Sequence, residues 1–223
     1  MTEQPDIVTI LPPPPLPHWA LTWAVAQMGA QPVSITQALS NEVNQVFGLD
    51  FGDQRLFLKV GPGLQPEYDR LIWLQGKLPA PRPVGFTSSG CTDAMLTWAV
   101  EGSSLAELTN SLTPKEIVSR LADALKSLHA TLTADWPFGR SGSVLVHGDA
   151  CLPNFLFSGE QLSGYIDVGN MALGEPEVDL AAAVWSLQHN LGHGYGLEFL
   201  SQYGVEQADE EEVERLRQLY ESR

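Results

Sequence analysis

"VLVHGDACLPNFLF", residues 144–157, is the stretch from which the rest of this chain can be read. An apolar run, Val144 to Val146, stops at His147-Gly148-Asp149; Pro153-Asn154 follow, and a second apolar run opens at Phe155. Further on, "LSGYIDVG" reads as another short strand, the hairpin partner of "SVLVHGD", and places Asp167 at its end before Gly169. An aspartate and an asparagine five positions apart in one loop, with a second aspartate on a neighbouring strand, call for a chemical reason.

The bulk composition narrows the choice. A chain of 223 residues can form one large domain or two small lobes with real cores. No apolar run approaches the roughly 18–20 residues that span a bilayer, and no basic segment followed by an apolar stretch marks a secretory signal. Cys91 and Cys151 stand far apart in no metal-ligand spacing, which reads as two free thiols of a cytoplasmic protein. The formal net charge of −15 argues against nucleic acid, because few Lys and Arg are left to neutralise phosphates. It is compatible with a cationic small molecule, but solubility alone accounts for it better.

Outward from the opening stretch, local signals set the order of elements. "ILPPPPLP" within residues 1–17 is an extended arm that donates few backbone hydrogen bonds, and Trp19–Met28 is a short helix. "VNQVFGLDFGDQRLFLKV" reads as a hairpin turning at Gly52-Asp53. Pro66 opens a helix with Tyr68, Leu71, Ile72 and Leu78 on one face, which "PAPRPVG" breaks. "AMLTWAV" is strand-like up to Gly102. "TPKEIVSRLADALKSLHATL" is the clearest helix, with a Thr113–Glu116 capping box, Pro114 at its first position and a stripe of Ile117, Leu121, Leu125, Leu128 and Leu132. "GEPEVDLAAAVWSL" and "DEEEVERLRQLY" are further helices; His189 and His193 near "LGHGYG" read as glycine-rich punctuation rather than metal ligands. The order predicts an α+β, two-lobed fold: a small β-rich N-terminal nucleotide-binding lobe over 18–100 behind the arm at 1–17, and a mainly helical C-terminal lobe over 101–223.

The polar residues of the loop fit phosphoryl transfer from ATP. That reaction needs a carboxylate to orient the acceptor hydroxyl and take its proton, oxygen ligands for Mg²⁺ and a cation on the phosphates. Asp149 supplies the carboxylate, and Asn154 and Asp167 supply oxygen ligands of the hard kind that Mg²⁺ prefers. "HGDACLPN" followed by "GYIDVGNMALGEPEVDLA" resembles the aminoglycoside phosphotransferase family, specifically its 3'-phosphotransferase branch, and "YGLEFLSQYGV" adds to the likeness. That family shares the protein-kinase-like fold, and its motifs parallel the kinase catalytic loop and the Mg²⁺-binding Asp-Phe-Gly.

The resemblance implies roles residue by residue. Asp149 is the catalytic base, and Asn154 and Asp167 are the metal ligands for Mg²⁺. His147 holds the loop's shape, a role close to that of an ordinary core histidine, and Asp179 hydrogen-bonds the loop from inside. Lys59 of "LFLKV" reaches the ATP α- and β-phosphates, and Glu67 of "EYDRLIWL" pairs with it. "LSNEVNQVF" covers the triphosphate, with contacts from Ser40 and Asn44, and the backbone of Trp98 and Val100 meets the adenine edge. Glu221 lines up loosely with an acid that faces the acceptor. The implied activity is a small-molecule kinase using ATP and Mg²⁺ on a hydroxyl, with an aminoglycoside antibiotic as acceptor and antibiotic resistance as the consequence, and with no nucleic-acid or membrane partner.

Three departures concern the acceptor side. Only about fifteen residues separate Leu132 from His147, where the family has a longer helical insertion. Asn170 stands where an arginine often follows Ile-Asp-x-Gly, and the chain ends in "LYESR" rather than on an aromatic residue. A non-catalytic nucleotide-binding or interaction module with the same fold is the competing reading.

Overall fold

A computed structural model describes residues 15–38, 43–139 and 141–222. Most of the Pro-rich arm, and Ser40, lie outside the described residues. Helix α1 (His18–Met28) begins after Pro17 and stops at Gly29, whose φ of 66° only glycine adopts without strain. Strands β1 (Ser34–Gln37), β2 (Gln45–Asp50) and β3 (Arg55–Gly61) precede α2 (Gln65–Leu74), and β4 (Pro83–Ser89) and β5 (Thr92–Trp98) follow it. The five strands form one antiparallel sheet in the order β1-β2-β3-β5-β4.

Strand periodicity gives this sheet two unlike faces. In β3, Leu56, Leu58 and Val60 are buried against Ala20 and Ala24 of α1 together with Phe47, Leu49, Ala94 and Leu96. The alternate residues Arg55, Phe57 and Lys59 point the other way, into a cleft. One lysine at the end of an apolar strand is thus placed on the cleft face by parity alone.

Residues 99–102 lead from β5 into the second half: β6 (Ser103–Ser104), the single turn α3 (Leu105–Leu108), α4 (Pro114–His129), β7 (Val144–Val146), β8 (Phe155–Ser158), β9 (Gln161–Tyr165), β10 (Ala172–Gly174), α5 (Glu177–Leu191), α6 (Gly196–Tyr203) and α7 (Glu210–Glu221). The capping box of α4 is present, Thr113 and Glu116 each satisfying the other's backbone. The helix buries Ile117, Leu121, Leu125 and Leu128 at the centre of the larger core, each worth about 1.5–3 kcal/mol. The result is a two-lobed α+β fold.

The structure corrects several expectations. β7 does not pair with the strand before Asp167; it pairs with β10, while β9 pairs with β8 and β6 completes that sheet. The β8–β9 turn is short enough to close a hairpin, so the loop's two flanking strands are sent to different partners. Strands β1 and β4 were not expected, since "SITQ" is too polar to signal a strand and "PVGFTSS" hides behind prolines. α2 ends at Leu74, with Ile72 half exposed and Leu74 buried in its place, and Leu78 packs from beyond the helix. Leu132 lies past the end of α4 and is 85% exposed.

The larger core is not confined to the second half of the chain. Leu64, Leu71, Leu74 and Met95 join the larger cluster with α4 and α5. A brace outside it strengthens the join: Trp136 packs edge-on against Trp73 and Phe138, Arg70 lies over Phe138, and Lys77 pairs with Asp135. The segment after α4 therefore grips α2.

Candidate active site

The loop between β7 and β8 is fixed from below by a buried carboxylate. Asp179, fully buried in the first turn of α5, accepts from the backbone N–H of His147 at 2.7 Å and of Gly148 at 2.8 Å. His129 Nε2 lies 3.0 Å from the same carboxylate, and its Nδ1 meets the Tyr203 hydroxyl at 2.7 Å. Burial, with Asp179 adding to it, raises the Tyr203 pKa, so the phenol stays protonated. Gly148 sits at φ 83°, and a Cβ there would come within 2.6 Å of the Asn170 carbonyl oxygen; only glycine fits. The His147 ring donates through Nε2 to the Ile166 carbonyl at 3.0 Å, tying this loop to the next one.

Above this base the polar residues converge. Asn154, closing a 3-10 turn over Leu152–Asn154, donates through Nδ2 to the Asp149 carbonyl at 2.8 Å and to its Oδ2 at 3.2 Å. Its amide oxygen is thereby turned away from Asp149. Ile166 N bonds to the Asn154 carbonyl, which sets the following residue, Asp167, beside Asn154 in the wall of the cleft. Asp167 adopts the left-handed conformation, φ 56° and ψ 48°, tolerated best by Gly, Asn and Asp.

Lys59 crosses from β3 to meet them. Its Nζ donates to Glu67 Oε2 at 2.7 Å and to Asp167 Oδ1 at 2.8 Å. Burial works against the ammonium, but Glu67 and Asp167 together outweigh it and hold its pKa above the ordinary 10.5. The partners do not gain equally: burial raises the Glu67 pKa by more than Lys59 lowers it. The lysine is the secure charge of the triad.

A cavity of about 740 Å³ opens between the sheet and the loops. Val46, Phe57 and Met95 line it from the sheet, Trp98 and Val100 from the connection, and Lys59, Glu67, Asn154 and Asp167 from its inner end. Asn44 instead packs against Gly61, outside this lining. Glu221 is held on the surface by Arg217; it is the preceding residue, Tyr220, whose hydroxyl approaches Asp149. His129, Tyr203, Phe57 and Tyr220 escaped the sequence reading. Only the parity of Phe57 with Lys59 could have exposed one of them; the other three reach the site through tertiary packing.

Comparisons with known proteins point to phosphotransferases. The phosphotransferase enzyme family model matches residues 130–218. An aminoglycoside 3'-phosphotransferase of Niallia circulans is 27% identical, the match covering 70% of this chain and 79% of that protein. The chain is a relative of the aminoglycoside phosphotransferases. It is accordingly a small-molecule phosphotransferase. A streptomycin 3''-kinase of Streptomyces griseus is 25% identical over 53% of this chain and 63% of its own. Among solved structures, an aminoglycoside-3'-phosphotransferase of type VIII superposes with a TM-score of 0.69 at 22% identity, covering 92% of this chain and 99% of that one. A spectinomycin phosphotransferase in complex with ADP and spectinomycin gives 0.64 at 15% identity, over 93% and 85%. At such identities the superpositions establish the fold. Among the described residues no helix is long and apolar enough to cross a membrane.

Proposed function

We propose that this phosphotransferase moves the γ-phosphate of ATP to a hydroxyl of a small cationic molecule, an aminoglycoside being the first acceptor to try. The nucleotide lies between a lobe of residues 18–100 and one of residues 101–223, its purine against Phe57 and the Trp98–Val100 backbone. The observation that carries the reading is the convergence of Lys59, Glu67, Asn154 and Asp167 at one end of the cleft, with Asp149 held beside them by two bonds from Asn154.

Asp149 acts as the base: its carboxylate orients the acceptor hydroxyl and receives its proton, while Lys59 binds the phosphate chain. The donor set also fits Mg²⁺. The Asn154 amide is oriented by its two bonds to Asp149 with the oxygen on the other side, and Asp167 offers a carboxylate in the same wall. Among the described residues no cluster of three or more His, Cys, Asp or Glu side chains forms a metal cage. That suits Mg²⁺, which keeps waters and takes its remaining ligands from phosphate. Bound there, the ion would neutralise charge on the transferring phosphoryl group. Relatives named for aminoglycosides and the chain's net charge of −15 favour a cationic acceptor.

The test is phosphate transfer from labelled ATP with Mg²⁺ to a panel of aminoglycosides and other polyhydroxylated amines, beside Asp149→Asn. A labelled product with the parent, lowered about 10²–10⁴-fold in the variant, is expected. Equal labelling by both proteins would remove Asp149 from the role of base.

A further inference from the structure

Both oxygens of the Asp149 carboxylate already face a donor. Asn154 Nδ2 takes Oδ2 at 3.2 Å, and the Tyr220 hydroxyl faces Oδ1 at 3.4 Å. An acceptor hydroxyl that is to hand its proton to Asp149 must come to the oxygen the phenol now approaches. We propose that the Tyr220 hydroxyl occupies the seat of the acceptor hydroxyl and keeps water out of it until an acceptor displaces the phenol. This inference rests on the assignment of Asp149 as the base.

The phenol is presented by a fixed element. α7 is capped by Asp209, whose carboxylate accepts from the Glu212 N–H at 2.9 Å, and its Arg215 pairs with Glu177 at the start of α5. The Tyr220 ring lies on Trp185 with centroids 4.9 Å apart, and Trp185 in turn stacks on His189 at 5.0 Å. On its far side the hydroxyl meets Cys151 Sγ at 3.4 Å. Burial pushes the Cys151 thiol up to about 12 and the Tyr220 phenol up as well, so both stay protonated at neutral pH and the phenol faces Asp149 as an O–H.

The contact is also weak enough to yield. Hydroxyl-to-carboxylate bonds ordinarily measure about 2.5–3.0 Å, and 3.4 Å lies outside that range. An acceptor making a normal bond would win the position, while the Tyr220 ring keeps its packing on Trp185. A kinase whose seat stands open spends ATP on water. The water oxygen attacks the γ-phosphorus, the bond to the β–γ bridging oxygen breaks, ADP and phosphate leave, and the water's proton passes to Asp149. Filling the seat with a phenol suppresses that step without blocking the nucleotide.

The experiment measures phosphate release from Mg·ATP by the whole protein with no acceptor present. Tyr220→Phe keeps the ring on Trp185 and removes only the hydroxyl; it should raise release by at least about threefold, with an unchanged melting temperature. Tyr220→Leu, which removes the ring as well, should release at least as much. Adding Asp149→Asn to Tyr220→Phe should abolish the gain. Release by both Tyr220 variants equal to or below the parent's overturns the proposal. If the gain survives Asp149→Asn, or if Mg·ATP does not raise the parent's melting temperature, the underlying site assignment fails instead, and the proposal with it.

Discussion

Lys59 shows how one residue's position decides its charge state. In sequence it is a lysine near the end of an apolar strand; in the fold it is mostly buried between Glu67 and Asp167. Because its pKa is raised on folding, its contribution to stability is complete below pH 10.5 and is lost as pH climbs through the higher folded value. Lys59→Met leaves Glu67 buried without its cation and should lower stability by up to about 3 kcal/mol. Melting curves of the parent and the variant should keep a constant gap from neutral pH to about 10.5 and converge above it. A gap already closing near pH 8 would contradict the raised value. The elevated Glu67 pKa caps the loss, since this carboxyl can take up a proton when its partner is gone.

At the scale of elements, the loop that carries Asp149 is shaped from below rather than by its own sequence. Three donors meet on one buried carboxylate, Asp179: two backbone N–H groups of the loop and the His129 ring from α4. Asp179→Ala would strip those donors of their partner inside the core, at about 3–5 kcal/mol for a buried charged network. The expected outcome is a lowered urea midpoint together with a loss of turnover, because His147-Gly148-Asp149 would no longer be held in line. Asp179→Asn retains volume but offers one acceptor oxygen, and should fall between the two. A midpoint unchanged in Asp179→Ala would show that the loop is held by other means.

At the scale of the molecule, the cleft lies between a sheet with its own small core and a larger core that α2 joins. α2 carries Glu67 on the cleft side, Leu71 and Leu74 into the larger cluster, and Trp73 against the segment after α4. Nucleotide binding should therefore register as whole-molecule stability. Mg·ATP at about 100 times its Kd should add about 2.7 kcal/mol. Asp167→Ala should lose most of that gain when Mg²⁺ is present and little when it is absent; a shift equal to the parent's would exclude Asp167 from the metal site. The segment after α4 braces α2 through Trp136 and Phe138.

The sequence by itself determined the elements whose signals are local: the capped helix α4, the hairpin of β2 and β3, the loop with Asp149 and Asn154, and the parity that sends Lys59 into the cleft. Capping, turn chemistry and period-two alternation act within a few residues, so they can be read without coordinates. The tertiary structure alone decided which strand each apolar run pairs with, as β7 with β10, and which distant side chains complete the site. Tyr220 and Asp149 are 71 positions apart, and His129 and Asp179 are 50 apart. Their meeting depends on how α4, α5 and α7 pack around one core, a sum of many weak contacts that no local pattern records.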